Sequence, residues 1–178
     1  LMISAFFFSW LGDIFLMFDA QLFFMLGLGT FLIAHIIYIL SFAKAVNQKG
    51  SMLLKGKFYL AIPFYIIAVI IFWVLHPNLS DLQIPVLLYT LIITTMVIFA
   101  MNLYEQIPKK SWLLIFSGAL LFMISDTTLA FNKFYTPIPL SGLIIMSTYA
   151  LAQYFIMRGS LQQSFTAPTI GAIDSGVP

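Results

Sequence analysis

The chain alternates between long apolar runs and short polar breaks. Six apolar segments stand out, at Met2–Phe18, Leu22–Ala43, Phe58–His76, Ile84–Tyr104, Ser111–Ala130 and Ile138–Met157. Each is about 17–22 residues long, the length a helix needs to cross the hydrocarbon core of a bilayer. The breaks carry turn-forming residues: Asp19-Ala-Gln21, then Lys44 to Lys57 with Asn47, Gly50, Ser51 and Gly56, then His76-Pro-Asn-Leu-Ser-Asp81, then Glu105 to Lys110 with Pro108, and Asn132 to Pro137. The pattern predicts an all-α polytopic membrane protein, a bundle of about six transmembrane helices over residues 1–158. Residues 159–178 turn polar, with Gly, Ser, Thr and Pro frequent, and are expected to form a disordered cytoplasmic tail.

Two of the apolar runs are interrupted by a carboxylate. Gly118-Ala-Leu-Leu-Phe-Met-Ile-Ser-Asp-Thr-Thr-Leu-Ala-Phe-Asn-Lys-Phe134 carries Asp126 beside Ser125, Thr127 and Thr128, and Phe8-Ser-Trp-Leu-Gly-Asp-Ile-Phe-Leu-Met-Phe18 carries Asp13. A carboxylate at the centre of a spanning helix costs roughly 3 kcal/mol on insertion scales, so each marks a candidate functional site. Asp13 precedes the outer turn at Asp19 by as many residues as Asp126 precedes the one at Asn132, which puts the two at similar depth, roughly 9 Å inside their helix ends. Both are followed by Leu at i+3 and Phe at i+5. That similarity hints at an internal parallel repeat of a four-helix unit.

Other polar groups fall at membrane depth with helical spacing. His35 and Tyr38 share one face, Thr90 and Thr94 another, and Tyr149 and Gln153 a third. Together they predict a polar cavity inside the bundle. The competing explanations are structural: hydroxyls such as Thr94 and Thr95 commonly bond back to their own helix, and His35 can be a buried histidine bonded to a neighbour.

Composition supports the membrane assignment and narrows the chemistry. Of 178 residues, 62% are hydrophobic and 8% are charged, against about 25% charged in soluble domains. The net charge of +2, with basic residues confined to breaks, gives no surface for nucleic acid. There is no cysteine, which excludes disulfides, iron–sulfur clusters and thiolate zinc sites. The chain opens inside an apolar run at Leu1, so residues are expected to precede it. Lys44, Lys49, Lys55 and Lys57 in one break, Lys109 and Lys110 in another, and Arg158 after the last segment fall on one side of a six-span bundle, with Lys133 on the other. The excess predicts that those breaks and the C-terminus face the cytoplasm, as in a multi-pass protein of a bacterial inner membrane. Capture of an anionic substrate is the alternative use of the lysines.

Two carboxylates held close together away from water cannot both ionise easily. One then serves as a general acid while the other stays charged, which suits hydrolysis through an oxocarbenium ion. Metal-dependent hydrolysis wants about three well-placed ligands, and of the histidines only His35 lies at a suitable depth. No serine–histidine–acid set or glycine-rich phosphate loop is present.

Gly12-Asp13, the Phe31…His35…Tyr38 helix, Gly118 through Ser125-Asp126 to Asn132-Lys-Phe134, and Ser147-Thr-Tyr149…Ala152-Gln153 resemble the YhhN-like family, over nearly the whole chain through Met157. Its studied members are lysoplasmalogenases. The resemblance implies a family bundle of typically eight helices, of which the N-terminal two lie outside this chain, taking with them a Lys-Pro segment. It implies hydrolysis of the vinyl ether bond of a lysoplasmalogen, with a lysophospholipid substrate and the bilayer as surroundings; no cofactor is expected. On that reading Asp13 and Asp126 are catalytic. His35, Tyr38, Ser125, Lys133, Tyr149 and Gln153 bind substrate, with Lys133 either meeting the phosphate or reaching to the interface. Two other classes stay open: a different membrane lipid hydrolase, such as an amidase or esterase, and a transporter or lipid-binding bundle that uses the carboxylates as a proton or cation site.

Overall fold

The computed structural model describes residues 1–47 and 54–166. Lys49 of the basic loop and residues 167–178 of the expected tail lie outside the described residues. Six long helices follow one another: α1 (Met2–Leu16), α2 (Gln21–Asn47), α3 (Ile62–Leu75), α4 (Gln83–Met101), α5 (Lys109–Phe134) and α6 (Ser141–Thr166). A single helical turn at Leu54–Lys57 and 3-10 turns at Phe58–Ala61, His76–Asn78 and Ser80–Leu82 join them. No strand occurs among the described residues. Helices are expected here because hydrocarbon offers no partner for a backbone N–H or C=O, so each must be satisfied within its own segment.

Four segments are long and apolar enough to cross a membrane: Gln21–Val46, Phe58–Asn78, Ser80–Met101 and Lys109–Phe134. Met2–Leu16 is a shorter apolar helix. Polarity is distributed inside out. Ile66, Val69, Ile70 and Trp73 of α3 and Leu143 and Met146 of α6 are exposed, whereas Ser9, His35, Thr94, Ser111 and Ser125 are buried. Such a molecule is stable with hydrocarbon around it.

The helix ends differ from the sequence expectation for local reasons. α3 begins at Ile62, with Pro63 in its first turn, where a missing N–H costs nothing. α5 runs on through Asn132 and Lys133 to Phe134. Asp126 therefore lies two turns from its helix end, whereas Asp13 lies within one turn of Leu16, so the two carboxylates are not equally spaced from their helix termini. α6 starts at Ser141, just past Pro139, and continues to Thr166, so the boundary drawn at residue 158 falls inside a helix. Asn132 steadies the connection, since its Oδ1 accepts the Ile138 N–H at 2.9 Å.

α5 and α6 pack most extensively, followed by α1 with α2; α4 links α2 to α5, and α3 lies at the periphery against α4. The core is a layer of aromatic and branched side chains, among them Phe31, Tyr38 and Phe42 of α2, Met96 and Val97 of α4, Phe122 of α5 and Ile156 of α6. Phe31, Tyr38 and Phe42 recur at the spacing of one helical face, so α2 directs a single stripe into the bundle.

Candidate functional site

The site grows from the ring of Phe122, which is fully buried on α5 one turn before Asp126. Phe31, His35, Tyr38 and Tyr149 all meet it edge-on, with centroids 4.7–6.4 Å away. Edge-to-face contact sets the angle of each ring, so this cluster orients the polar tips around it. α1 comes close because residue 12 is glycine. A Cβ there would stand 2.6 Å from the Phe31 ring, which leaves room for α2 and brings the neighbouring Asp13 to the site.

Each carboxylate accepts a hydrogen bond from a tyrosine on another helix. The Tyr149 hydroxyl donates to Asp13 Oδ2 at 2.8 Å, and the Tyr89 hydroxyl donates to Asp126 Oδ2. His35, fully buried, holds its Nε2 3.8 Å from Asp126 Oδ2, beyond hydrogen-bond reach. On the Asp13 side the bond extends into a chain. The Tyr38 hydroxyl donates to Gln153 Oε1 at 2.7 Å, Gln153 Nε2 donates to the Tyr149 oxygen at 3.1 Å, and Tyr149 donates to Asp13. Every donor in that chain points toward the carboxylate. The chain therefore fixes the Gln153 amide and ends on Asp13 as acceptor.

Asp13 and Asp126 line one half-open cavity of about 490 Å³, together with Phe31, Ser125, Asn132, Ser141 and Tyr149. A second, narrower cavity of about 60 Å³ lies among α2, α3, α4 and α5; Asp126 lines it as well, with Tyr89, Ala68 and Ile93. The two cavities share Leu16, Phe31, Asp126 and Leu129 as walls.

Of the residues singled out from the sequence, Asp13, Asp126, Ser125 and Tyr149 face the wide cavity, and His35, Tyr38 and Gln153 stand behind it within the hydrogen-bonded and aromatic cluster. Ser125 lines the cavity, but its hydroxyl donates to the Ile145 carbonyl at 3.0 Å and so joins α5 to α6. Lys133 lines neither cavity; its ammonium lies 4.6 Å from the centre of the Phe24 ring. Thr94 and Thr95 bond back to the carbonyls of Thr90 and Leu91, both at 2.7 Å. Tyr89 is one of the polar residues that the sequence places at membrane depth on the fourth helix, but it is not among the expected site residues, because only the packing of α4 against α5 brings its hydroxyl to Asp126. Among the described residues no three His, Asp or Glu side chains converge as a metal site would need.

Chemically, the arrangement offers two carboxylates on one cavity, each with a hydroxyl donor, where proton transfer and water activation can be divided between them.

A family model described as the YhhN family matches residues 1–160. Lysoplasmalogenase TMEM86B of Sus scrofa is 35% identical over 136 residues, which cover 75% of this chain and 52% of that protein. Lysoplasmalogenase TMEM86A of Bos taurus is 33% identical over 160 residues, 87% of this chain and 62% of that protein, and TMEM86A of Homo sapiens is 34% identical with the same coverage. The chain thus spans between about half and about three-fifths of the length of these relatives. No solved structure matches it.

Proposed function

We propose, from the premise that this chain belongs to the YhhN family, that it is a membrane hydrolase of lysoplasmalogens. It cleaves the vinyl ether bond to give a fatty aldehyde and a glycerophospho-base. The relatives' activity supports the reaction class, since they carry the name lysoplasmalogenase at about a third identity across most of this chain. The observation that carries the chemistry is the meeting of Asp13 and Asp126 on a single cavity, each accepting a tyrosine hydroxyl.

A vinyl ether is cleaved by protonating carbon, which turns the ether into an oxocarbenium ion that water then attacks. One carboxyl group supplies the proton. The other, ionised, stabilises the cation and accepts a proton from the attacking water. The aromatic layer around Phe122 backs the site on the bundle side, with Phe31 and Tyr149 forming part of the wall of the cavity that both carboxylates line. The Tyr38–Gln153–Tyr149 chain holds Asp13, Tyr89 holds Asp126, and His35 adds a polar edge beside Asp126. The lysine-bearing breaks fit a bilayer orientation with those loops and the C-terminus cytoplasmic, as in a bacterial inner membrane.

The test is hydrolysis of lysoplasmenylethanolamine by full-length protein in detergent, comparing wild type with Asp13→Asn and Asp126→Asn. General acid–base groups typically contribute about 10²–10⁴-fold, so each variant is expected to lose at least that lower factor. Wild-type-like turnover by both would reject the carboxylate pair.

A further inference from the structure

Resting on that reading, we infer that the two carboxylates have fixed and different roles: Asp126 protonates the alkenyl carbon from the chain side, and Asp13 activates water from the headgroup side. The narrow cavity beside Asp126 takes the reacting end of the alkenyl chain, and the wide cavity takes the glycerophospho-base.

The asymmetry of the two cavities carries this. Among the described residues, Asp126 is the carboxylate that lines both, whereas Asp13 lines the wide one alone. The carbon to be protonated is the alkene carbon farther from the ether oxygen, which belongs to the hydrocarbon chain. The acid must therefore stand where the chain lies. The narrow cavity is lined mostly by apolar side chains, among them Ala68 and Ile93; its Thr90 and Thr94 spend their hydroxyl protons on the carbonyls of Val86 and Thr90, Tyr89 donates to Asp126, and its third threonine, Thr127, adjoins Asp126 at the reacting end. It therefore offers a chain little unsatisfied polarity. Its volume of about 60 Å³ is several times the roughly 10–15 Å³ that admits one water-sized group. The alkene and its first methylenes fit, and the rest of the chain extends toward lipid. The wide cavity, at about 490 Å³, offers the Asn132 amide nitrogen and the Ser141 hydroxyl to glycerol and phosphate oxygens, while the Tyr149 hydroxyl and Asn132 Oδ1 are committed to Asp13 and the Ile138 N–H. The ether oxygen then sits at the common wall, beside Asp126.

The steps balance without a further reactant. The carboxyl proton of Asp126 adds to the distal alkene carbon; the π pair forms the new C–H bond, and the carbon bearing oxygen becomes an oxocarbenium centre. Water adds there and gives a proton to the Asp13 carboxylate, leaving a hemiacetal. The hemiacetal hydroxyl returns its proton to Asp126 as the carbon–oxygen bond to glycerol breaks. The departing oxygen takes the proton held by Asp13. An aldehyde and an alcohol result, and both carboxylates regain their starting states.

Two measurements on full-length protein in detergent test the assignment. First, sodium azide can add to an oxocarbenium ion without a base. It is expected to restore vinyl ether consumption at least tenfold in Asp13→Ala and to leave Asp126→Ala unrestored; the reverse pattern, or restoration in neither or both, overturns the division of roles. Second, Ala68→Leu narrows the chain cavity, and Gly142→Leu adds bulk to the wide cavity, where a Cβ at residue 142 meets nothing within 4 Å. Ala68→Leu is expected to raise KM for alkenyl substrates about tenfold while keeping the wild-type preference between ethanolamine and choline headgroups. Gly142→Leu should alter that preference instead. Ala130→Leu, on the same narrow cavity, replaces Ala68→Leu if the latter does not purify as a monodisperse protein. Exchanged effects, or an unchanged KM in the narrow-cavity variant, overturn the cavity assignment. A wild-type protein inactive on every vinyl ether would sink the parent function and this assignment together, whereas active wild type with misplaced variant effects would sink this assignment alone.

Discussion

Gly118→Ala adds one methyl group where α5 meets α6, and its consequences can be followed from packing to chemistry. A Cβ at residue 118 would stand 2.8 Å from the Ala152 carbonyl oxygen, 2.8 Å from Cγ1 of Ile156 and 3.0 Å from the Ile156 backbone nitrogen. Two of those atoms are backbone, so the side chain cannot simply turn aside and α6 must move. Ordinary contact begins at 3.4 Å, so the helix has to retreat by about 0.6 Å. Overpacking of this kind costs typically 1–3 kcal/mol. Ala152 lies between Tyr149 and Gln153, so the same retreat draws the Tyr149 hydroxyl from Asp13. Their 2.8 Å bond would lengthen toward 3.4 Å, past the useful range for O–H···O. Misplacement by 1 Å can cost about 10²-fold in rate, which for this shift means about a tenfold loss. Thermal unfolding in detergent and turnover of lysoplasmenylethanolamine measure the two effects. Gly29→Ala is the control, since its Cβ meets nothing within 4 Å; a stability gain of about 0.4–1 kcal/mol is expected there. A Gly118→Ala protein with wild-type melting and wild-type turnover would refute the coupling of the α5–α6 seam to the site.

Tyr89→Phe keeps the ring but removes the donor to Asp126; turnover should fall at least tenfold with little change in melting, and unchanged turnover would make Tyr89 a packing residue only. Gln153→Leu cuts the chain between Tyr38 and Tyr149 and leaves the Tyr38 hydroxyl without its acceptor. An unsatisfied buried group costs about 1–3 kcal/mol, so melting should drop along with kcat, and a kcat loss with undisturbed melting would assign Gln153 a direct contact with substrate. Lys133→Met removes an ammonium from above Phe24, a contact worth about 0.5–1 kcal/mol at exposed sites. A small loss of stability with unaltered KM is expected, and a tenfold rise in KM would instead put Lys133 on the substrate phosphate.

The run lengths of apolar residues and the scarcity of charge determined that this chain is a helical membrane bundle, because hydrocarbon admits few other ways to satisfy a backbone. They also made Asp13 and Asp126 conspicuous, since an acidic group is costly wherever water is scarce. Helical spacing alone placed His35 with Tyr38, and Tyr149 with Gln153, on common faces. What spacing could not supply is contact between helices distant in sequence. Tyr89 reaches Asp126, and Tyr38 reaches Gln153, only through the way α4, α5, α2 and α6 pack, and α1 reaches α2 through the space left at Gly12. Lys133 shared its helical side with Asp126 in the sequence, yet packing turned its ammonium onto Phe24. The division into a wide and a narrow cavity, with Asp126 on both and Asp13 on one, was likewise decided by tertiary structure. A cavity is the gap left when several helices meet, and no single helix records its shape.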